Sequence, residues 1–132
     1  MVKVVFVDTS AIAALLNKND FHHVQARDVL KNLEAQPTSL LITNYIRTET
    51  HALLLHKAGY ELAAKFLESK SFYIEWADRE DENKAIKIIR QYNDKSFSLT
   101  DSISFAVMQR LGITDVFAYD RHFEQYGFNL LK

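Results

Sequence analysis

The 132-residue sequence predicts an α/β fold, a three-layer α/β/α sandwich around a mostly parallel central sheet. Three observations predict it. The chain opens on an almost unbroken apolar, β-branched run from Val2 to Val7, the pattern of a strand covered on both faces. Short strand-like segments then alternate with longer segments whose apolar residues recur at helical spacing. Acidic residues close two of the strand segments, Asp8 after VVFV and Asp120 after VFAY. Parallel α/β sheets gather their functional groups at those carboxyl ends.

Each element follows from local pattern. Val2 to Val7 is the expected central strand. Thr9 to Asn17 (TSAIAALLN) is rich in Ala and Leu and reads as a helix. Asn17 to Asp20 breaks it, and Phe21 to Ala35 continues as a second helix with Val24, Ala26, Val29, Leu30 and Leu33 on one face. Pro37 ends that region, and Leu40 to Thr43 supplies a short second strand. A third helix runs from about Asn44 to Lys57 with Gly59 as its cap, and ELAAKFLES forms a fourth. Phe72 to Trp76 is a short strand, and Asp78 caps a helix whose buried stripe is Ala85, Ile88, Ile89 and Tyr92. Thr100 to Leu111 is a helix stopped by Gly112, Val116 to Tyr119 a strand, and Phe128 to Leu130 a last edge strand.

Length and composition bound the function. One domain spanning residues 1–132 is expected, with no linker, repeat or low-complexity tract. The absence of Cys excludes disulfides and thiolate metal sites and fits a cytoplasmic protein. The opening apolar run is too short for a signal peptide or a membrane span, so no membrane association is expected. The formal charge of -1 advertises no constitutive nucleic-acid binder, yet two bound divalent cations would turn it to +3 and place that charge in a cleft. The three glycines are isolated, which excludes a phosphate-cradling loop, and no Ser sits in a G-x-S-x-G setting.

Four acids stand out: Asp8, Glu49 inside TNYIRTETHALL, Asp101 in TDSISFAVMQRL, and Asp120. Each has an ordinary explanation. Asp8 suits a helix N-cap, Asp101 a first-turn acid with Thr100 as the cap, Asp120 a turn, and Glu49 a rim residue or a partner of Arg47. Glu49, however, shares a helical face with Tyr45, Ile46, Ala52 and Leu53, where a carboxylate is costly without a partner or a metal. Carboxylates gathered at one sheet edge repel unless a cation joins them, and a hard divalent metal is the simplest one. Thr9 and Ser10 add hydroxyls suited to a metal-linked water or a phosphate, or simply to a first helical turn.

In this order, VDTSAI, the internal Glu of TNYIRTETHALL, LTDSISFAVMQRLGI and FAYDRHFEQYGF resemble the PIN domain family across essentially the whole chain, and especially single-domain VapC-type toxins. The resemblance implies a PIN-like sandwich and a Mg²⁺- or Mn²⁺-dependent endoribonuclease that hydrolyses RNA phosphodiester bonds. It carries over Asp8, Glu49, Asp101 and Asp120 as the catalytic, metal-holding acids, with Thr9 or Ser10 as the supporting hydroxyl. Asp8 would anchor the principal metal, Glu49 and Asp101 complete that site, and Asp120 hold a second ion or orient the attacking water. A cognate antitoxin and a homodimer are the implied partners. Ala118 departs from the pattern, since members often carry Ser or Thr two places before the last acid. The alternative is a PIN-like RNA-binding or scaffolding module without physiological cleavage. Two other α/β classes fail on position. A haloacid-type phosphatase wants Asp where Ser10 stands, and a receiver domain wants an acid after a later strand, where LLITN has none.

Other residues are weaker. His22 and His23 are adjacent, diverge on a helix and are expected at the surface. His56 lies near the Glu49 face and His51 opposite it. Lys84, Lys87, Gln91 and Lys95 form one face, which is a solvated surface or, with Arg47 and Arg121, a place for RNA phosphates. Tyr45, Trp76, Tyr119 and Tyr126 could stack bases, although aromatics more often pack the core.

Overall fold

The structure is a computed structural model that describes residues 1–132. In chain order the elements are β1 (Lys3–Val7), α1 (Thr9–Leu16), α2 (His23–Glu34), β2 (Thr38–Thr43), α3 (Asn44–Ala58), α4 (Tyr60–Glu68), β3 (Phe72–Glu75), α5 (Arg79–Gln91), α6 (Leu99–Leu111), β4 (Asp115–Phe117), α7 (His122–Tyr126) and β5 (Asn129–Leu131). The five strands form one sheet in the order β3-β2-β1-β4-β5. Every pairing is parallel, so the mostly parallel sheet expected is wholly so.

That order has a direct consequence for function. From β1 the chain steps outward to β2 and β3, then returns to lay β4 on the other side of β1. Right-handed crossovers in opposite directions put helices on both faces, and the helix contacts fall into the corresponding sets, α1 with α2 and α3, α3 with α4, and α5 with α6. The direction of winding reverses between β1 and β4, and the carboxyl ends of those two strands border the crevice where open α/β sheets bind ligands.

The core is centred on Val5, Phe6 and Val7, all fully buried, with Ile12, Ile42, Ile46, Phe105, Phe117 and Phe123 packed around them. Burying one such side chain is worth about 1.5–3 kcal/mol, so β1 anchors the sheet. Its amino-terminal half departs from the expected two-sided burial: Val2 precedes the strand and Val4 is 38% exposed. α6 is buried continuously from Asp101 to Met108, because α5 packs along it while Phe105 meets Phe123 of α7.

Caps and turns explain most boundaries. Asp78 caps α5 through a reciprocal pair with Asp81, and Gly59, at φ +97°, separates α3 from α4 in a conformation that L side chains rarely adopt. Three expectations need correction. The cap of α6 is Ser98, whose hydroxyl accepts the Asp101 N–H, and not Thr100. A short helix, α7, follows Asp120 where no element was expected, and it shifts the last strand by one residue. His22 and His23 are half-buried: His22 stacks on Tyr119 with ring centroids 4.1 Å apart, and His23 Nδ1 lies 2.7 Å from the Ala14 carbonyl oxygen.

Candidate active site

Asp8 ends β1 and begins α1. Its backbone N–H continues the ladder to the Phe117 carbonyl, and its side chain caps α1 by accepting from the Ser10 N–H at 3.2 Å. The Ser10 hydroxyl donates to the same oxygen at 2.7 Å and accepts the Tyr119 N–H at 3.0 Å, which ties the end of β4 to the end of β1. Asp8 is thus the ordinary cap and also a buried carboxylate facing other acids. Burial pushes its pKa from 3.8 up to about 6; the hydrogen bonds from Ser10 work against that rise, and the charges of Asp101 and Asp120 add to it.

Asp101 sits at the third position of α6, where its carboxylate accepts the Ser98 N–H at 3.4 Å and completes a capping box. The same oxygen, Oδ2, lies 2.8 Å from His122 Nδ1, and that nitrogen is 3.2 Å from Asp120 Oδ1. Both neighbours are acceptors, so Nδ1 carries the ring proton. The His122 backbone N–H also donates to Asp120 Oδ1, at 2.9 Å. A nitrogen of His122 and one carboxylate oxygen each of Asp101 and Asp120 lie within 4.8 Å of one another; with Nδ1 protonated, His122 holds the two carboxylates together, and their oxygens are the donors suited to a metal.

Of the two readings of Glu49, the structure gives the rim residue. It is exposed, because the face of α3 that enters the core is set by Ile46, Thr50 and Leu54, and Glu49 lies at the edge of that stripe. Its Oε1 accepts a 2.7 Å bond from Thr9, whose hydroxyl in turn accepts from the fully buried Thr50 at 3.1 Å. The fold therefore brings Asp8, Asp101 and Asp120 into electrostatic contact and holds Glu49 on their flank through Thr9. The hydroxyls of Thr9 and Ser10 are engaged by neighbouring carboxylates and do not stand free for a phosphate. Ala118 is fully buried.

Sequence reasoning missed His122 and Thr50. A His two residues past a strand-end Asp, just before an apolar residue, was the available signal for His122. Nothing distinguishes Thr50 locally from an ordinary helical threonine. Of the remaining candidates, His56, Lys84, Lys87, Gln91, Lys95 and Arg121 are exposed and His51 half-buried. Tyr45 and Tyr126 are half-buried, but Trp76 is 67% exposed, against the expectation that it packs the core.

A five-stranded parallel α/β/α sandwich with carboxylates at the β1/β4 crevice defines a class, and the comparisons agree: residues 5–129 match the PIN domain model, and the chain belongs to the PIN domain family. Within it the chain is VapC-like. It is 31% identical over 127 residues to the 23S rRNA-specific endonuclease VapC20 of Mycobacterium tuberculosis, covering 94% of this chain and 95% of that protein. The crystal structure of that organism's VapC20, described as a Sarcin-Ricin loop cleaving toxin, superposes with a TM-score of 0.86 at 29% identity, covering 94% of this chain and 95% of that one. A toxin–antitoxin complex from Klebsiella pneumoniae shares the fold at a TM-score of 0.70 and 14% identity, over 97% and 96% of the two chains.

Proposed function

We propose that this chain, as a single PIN-like domain, is a Mg²⁺- or Mn²⁺-dependent endoribonuclease and the toxin of a toxin–antitoxin pair. The observation that carries the reading is the meeting of Asp101, Asp120 and His122 within 4.8 Å, beside an Asp8 that burial and like charge hold up at about 6. Such a group is electrostatically incomplete, and its oxygen-rich donor set suits a hard divalent cation. Asp8, Asp101 and Asp120 would hold the metal, with Glu49 joining through water. Bound there, a divalent ion supplies an activated water and offsets charge on the phosphate.

The remaining steps belong to the protein. Ser10 and Ser98 fix the carboxylate oxygens of Asp8 and Asp101, so little reorganisation is needed when RNA arrives. His122 aligns Asp101 with Asp120, and Thr50 with Thr9 sets the rotamer of Glu49. Asp8 and Asp101 are buried at the floor of the crevice, Asp120 is half-buried beside them, and Glu49 is exposed on the flank. The relative's name supports a structured rRNA loop as the first substrate to try, and the neighbouring toxin–antitoxin complex supports an antitoxin partner. A homodimer in the cytoplasm is the proposed state; no helix here is long and apolar enough to cross a membrane.

The test is cleavage of an RNA panel, including a large-subunit rRNA hairpin, by purified protein with Mg²⁺ or Mn²⁺, beside EDTA and an Asp8→Asn control. Metal-dependent cutting that the variant lacks is the expected result. RNA binding without cutting by antitoxin-free protein would overturn the nuclease and leave an RNA-binding module.

A further inference from the structure

Beside the acids lies a depression of about 400 Å³ that no step above uses. Its lining includes Glu49 itself, Thr100 next to Asp101, and Asn44, Tyr45, Arg47 and Trp76. It is therefore continuous with the carboxylate edge. Its volume falls within the ~300–1,000 Å³ typical of small-ligand sites. We infer that this depression is a nucleobase subsite of the proposed nuclease, in which a base flanking the scissile phosphate stacks on Trp76.

Trp76 is exposed, yet the backbone carrying it is held from both sides. Before it, Glu75 accepts from Arg110 at 3.1 Å, and Arg110 also grips the buried Asp81 through two 2.9 Å bonds. After it, the Ala77 N–H donates to Asn44 Oδ1 at 2.7 Å, and Ala77 packs with Ala85, Ile103 and Val107. An indole presented to water from an anchored loop is a preorganised stacking platform, and every base offers it a π-face.

The polar groups fit a nucleotide better than a protein side chain. The Ala77 N–H assigns Asn44 Oδ1 as the acceptor, which leaves the Asn44 Nδ2 hydrogens for the edge of a base. Arg47 makes only a long contact, 3.5 Å to the Leu67 carbonyl, so its guanidinium keeps donors for a phosphate. Only two of the seven lining residues are hydrophobic, whereas the apolar anchor of a protein partner wants an apolar pocket. The groove lined by Leu15, Leu30, Leu33, Leu62 and Phe66 has that character and lies elsewhere.

The inference rests on the ribonuclease reading for its ligand but is testable apart from it, because Trp76 is the only tryptophan of the chain. Asp8→Asn protein with Mn²⁺ is titrated with a single-stranded RNA and with an abasic strand of equal length while tryptophan emission is followed. Saturable quenching by the RNA, and little by the abasic strand, is expected. In parallel, binding of dye-labelled RNA is measured by anisotropy: Trp76→Ala should weaken it roughly 5- to 100-fold and Trp76→Phe much less. In the cleaving protein, Trp76→Ala should raise KM with kcat little changed. If labelled RNA binds while emission stays constant and Trp76→Ala binds equally well, the subsite is overturned. Quenching without cleavage by unmutated protein would sink the nuclease and keep the subsite; cleavage without quenching would do the reverse.

Discussion

The Ser10 hydroxyl donates to Asp8 Oδ2 at 2.7 Å and accepts the backbone N–H of Tyr119 at 3.0 Å, so one atom joins the most perturbed acid of the site to the strand that delivers Asp120. Removing it frees both. Ser10→Ala should lower RNA cleavage roughly 10- to 100-fold with an unchanged far-UV spectrum, the range for groups that orient metal-binding carboxylates. Cleavage within twofold of the unmutated protein would show that Asp8 needs no such support.

Asp8 makes the metal-free protein less stable than its packing allows. A carboxyl raised from 3.8 to about 6 favours the folded state fully below pH 3.8, and that contribution is lost as pH rises through 6. At neutral pH the ionised group therefore costs about 3 kcal/mol. Asn keeps an oxygen to accept both Ser10 donors and carries no charge. In EDTA at pH 7.5, Asp8→Asn should melt roughly 10 °C higher, and at pH 4 the gain should vanish; with Mn²⁺ supplied the variant should cut no RNA. Equal melting temperatures at pH 7.5 would contradict the buried charge.

His122 should matter to metal affinity before it matters to RNA. His122→Ala releases Asp101 from Asp120, and titration calorimetry with Mn²⁺ alone should show binding weakened roughly 10-fold or more. Unchanged calorimetry would reduce His122 to a packing residue against Phe97.

Arg110 is a structural counterpart. Burial raises the Asp81 carboxyl, but the forked bonds from Arg110 and the hydrogen bonds at Asp78 outweigh it and hold the group below its usual range. Arg110→Met leaves Asp81 buried and unpaired, and should cost about 2–4 kcal/mol in urea unfolding at pH 7. For a lowered carboxyl the stabilisation is present above about 3.8 and disappears as pH falls through the depressed value, so the two proteins should converge in acid. A constant gap from pH 7 to pH 2 would argue against the ion pair as its source.

What was legible in the sequence tracks how local its cause is. Asp8 and Asp120 could be placed because each ends a run whose apolar pattern alone marks a strand, and parallel strands share one functional edge. Glu49 was placed on the right helix with its exposure left open between rim and core face, since a helical wheel fixes an angle and not which neighbour covers it. His122 had only a weak local signal, its place two residues after Asp120, because its other partner, Asp101, is 21 residues away and α7 is too short to show periodicity. Trp76 ran against composition: aromatics usually close cores, and here Arg110 and Asn44 hold the backbone around an indole that stays outside. The direction of the last strand was equally hidden, because its three residues say nothing about which neighbour they pair with.

The strand order also sets a timetable. β1 is made first, but its neighbour on one side, β4, follows β2 and β3 and enters beside it rather than at an outer edge. Until that late strand arrives, Asp120 and His122 have no place, and Asp8 faces an unfinished crevice. A chain still being translated thus carries some acids of the proposed nuclease but not their arrangement. The order of synthesis itself withholds the complete acidic edge until the last strands of the sheet are in place.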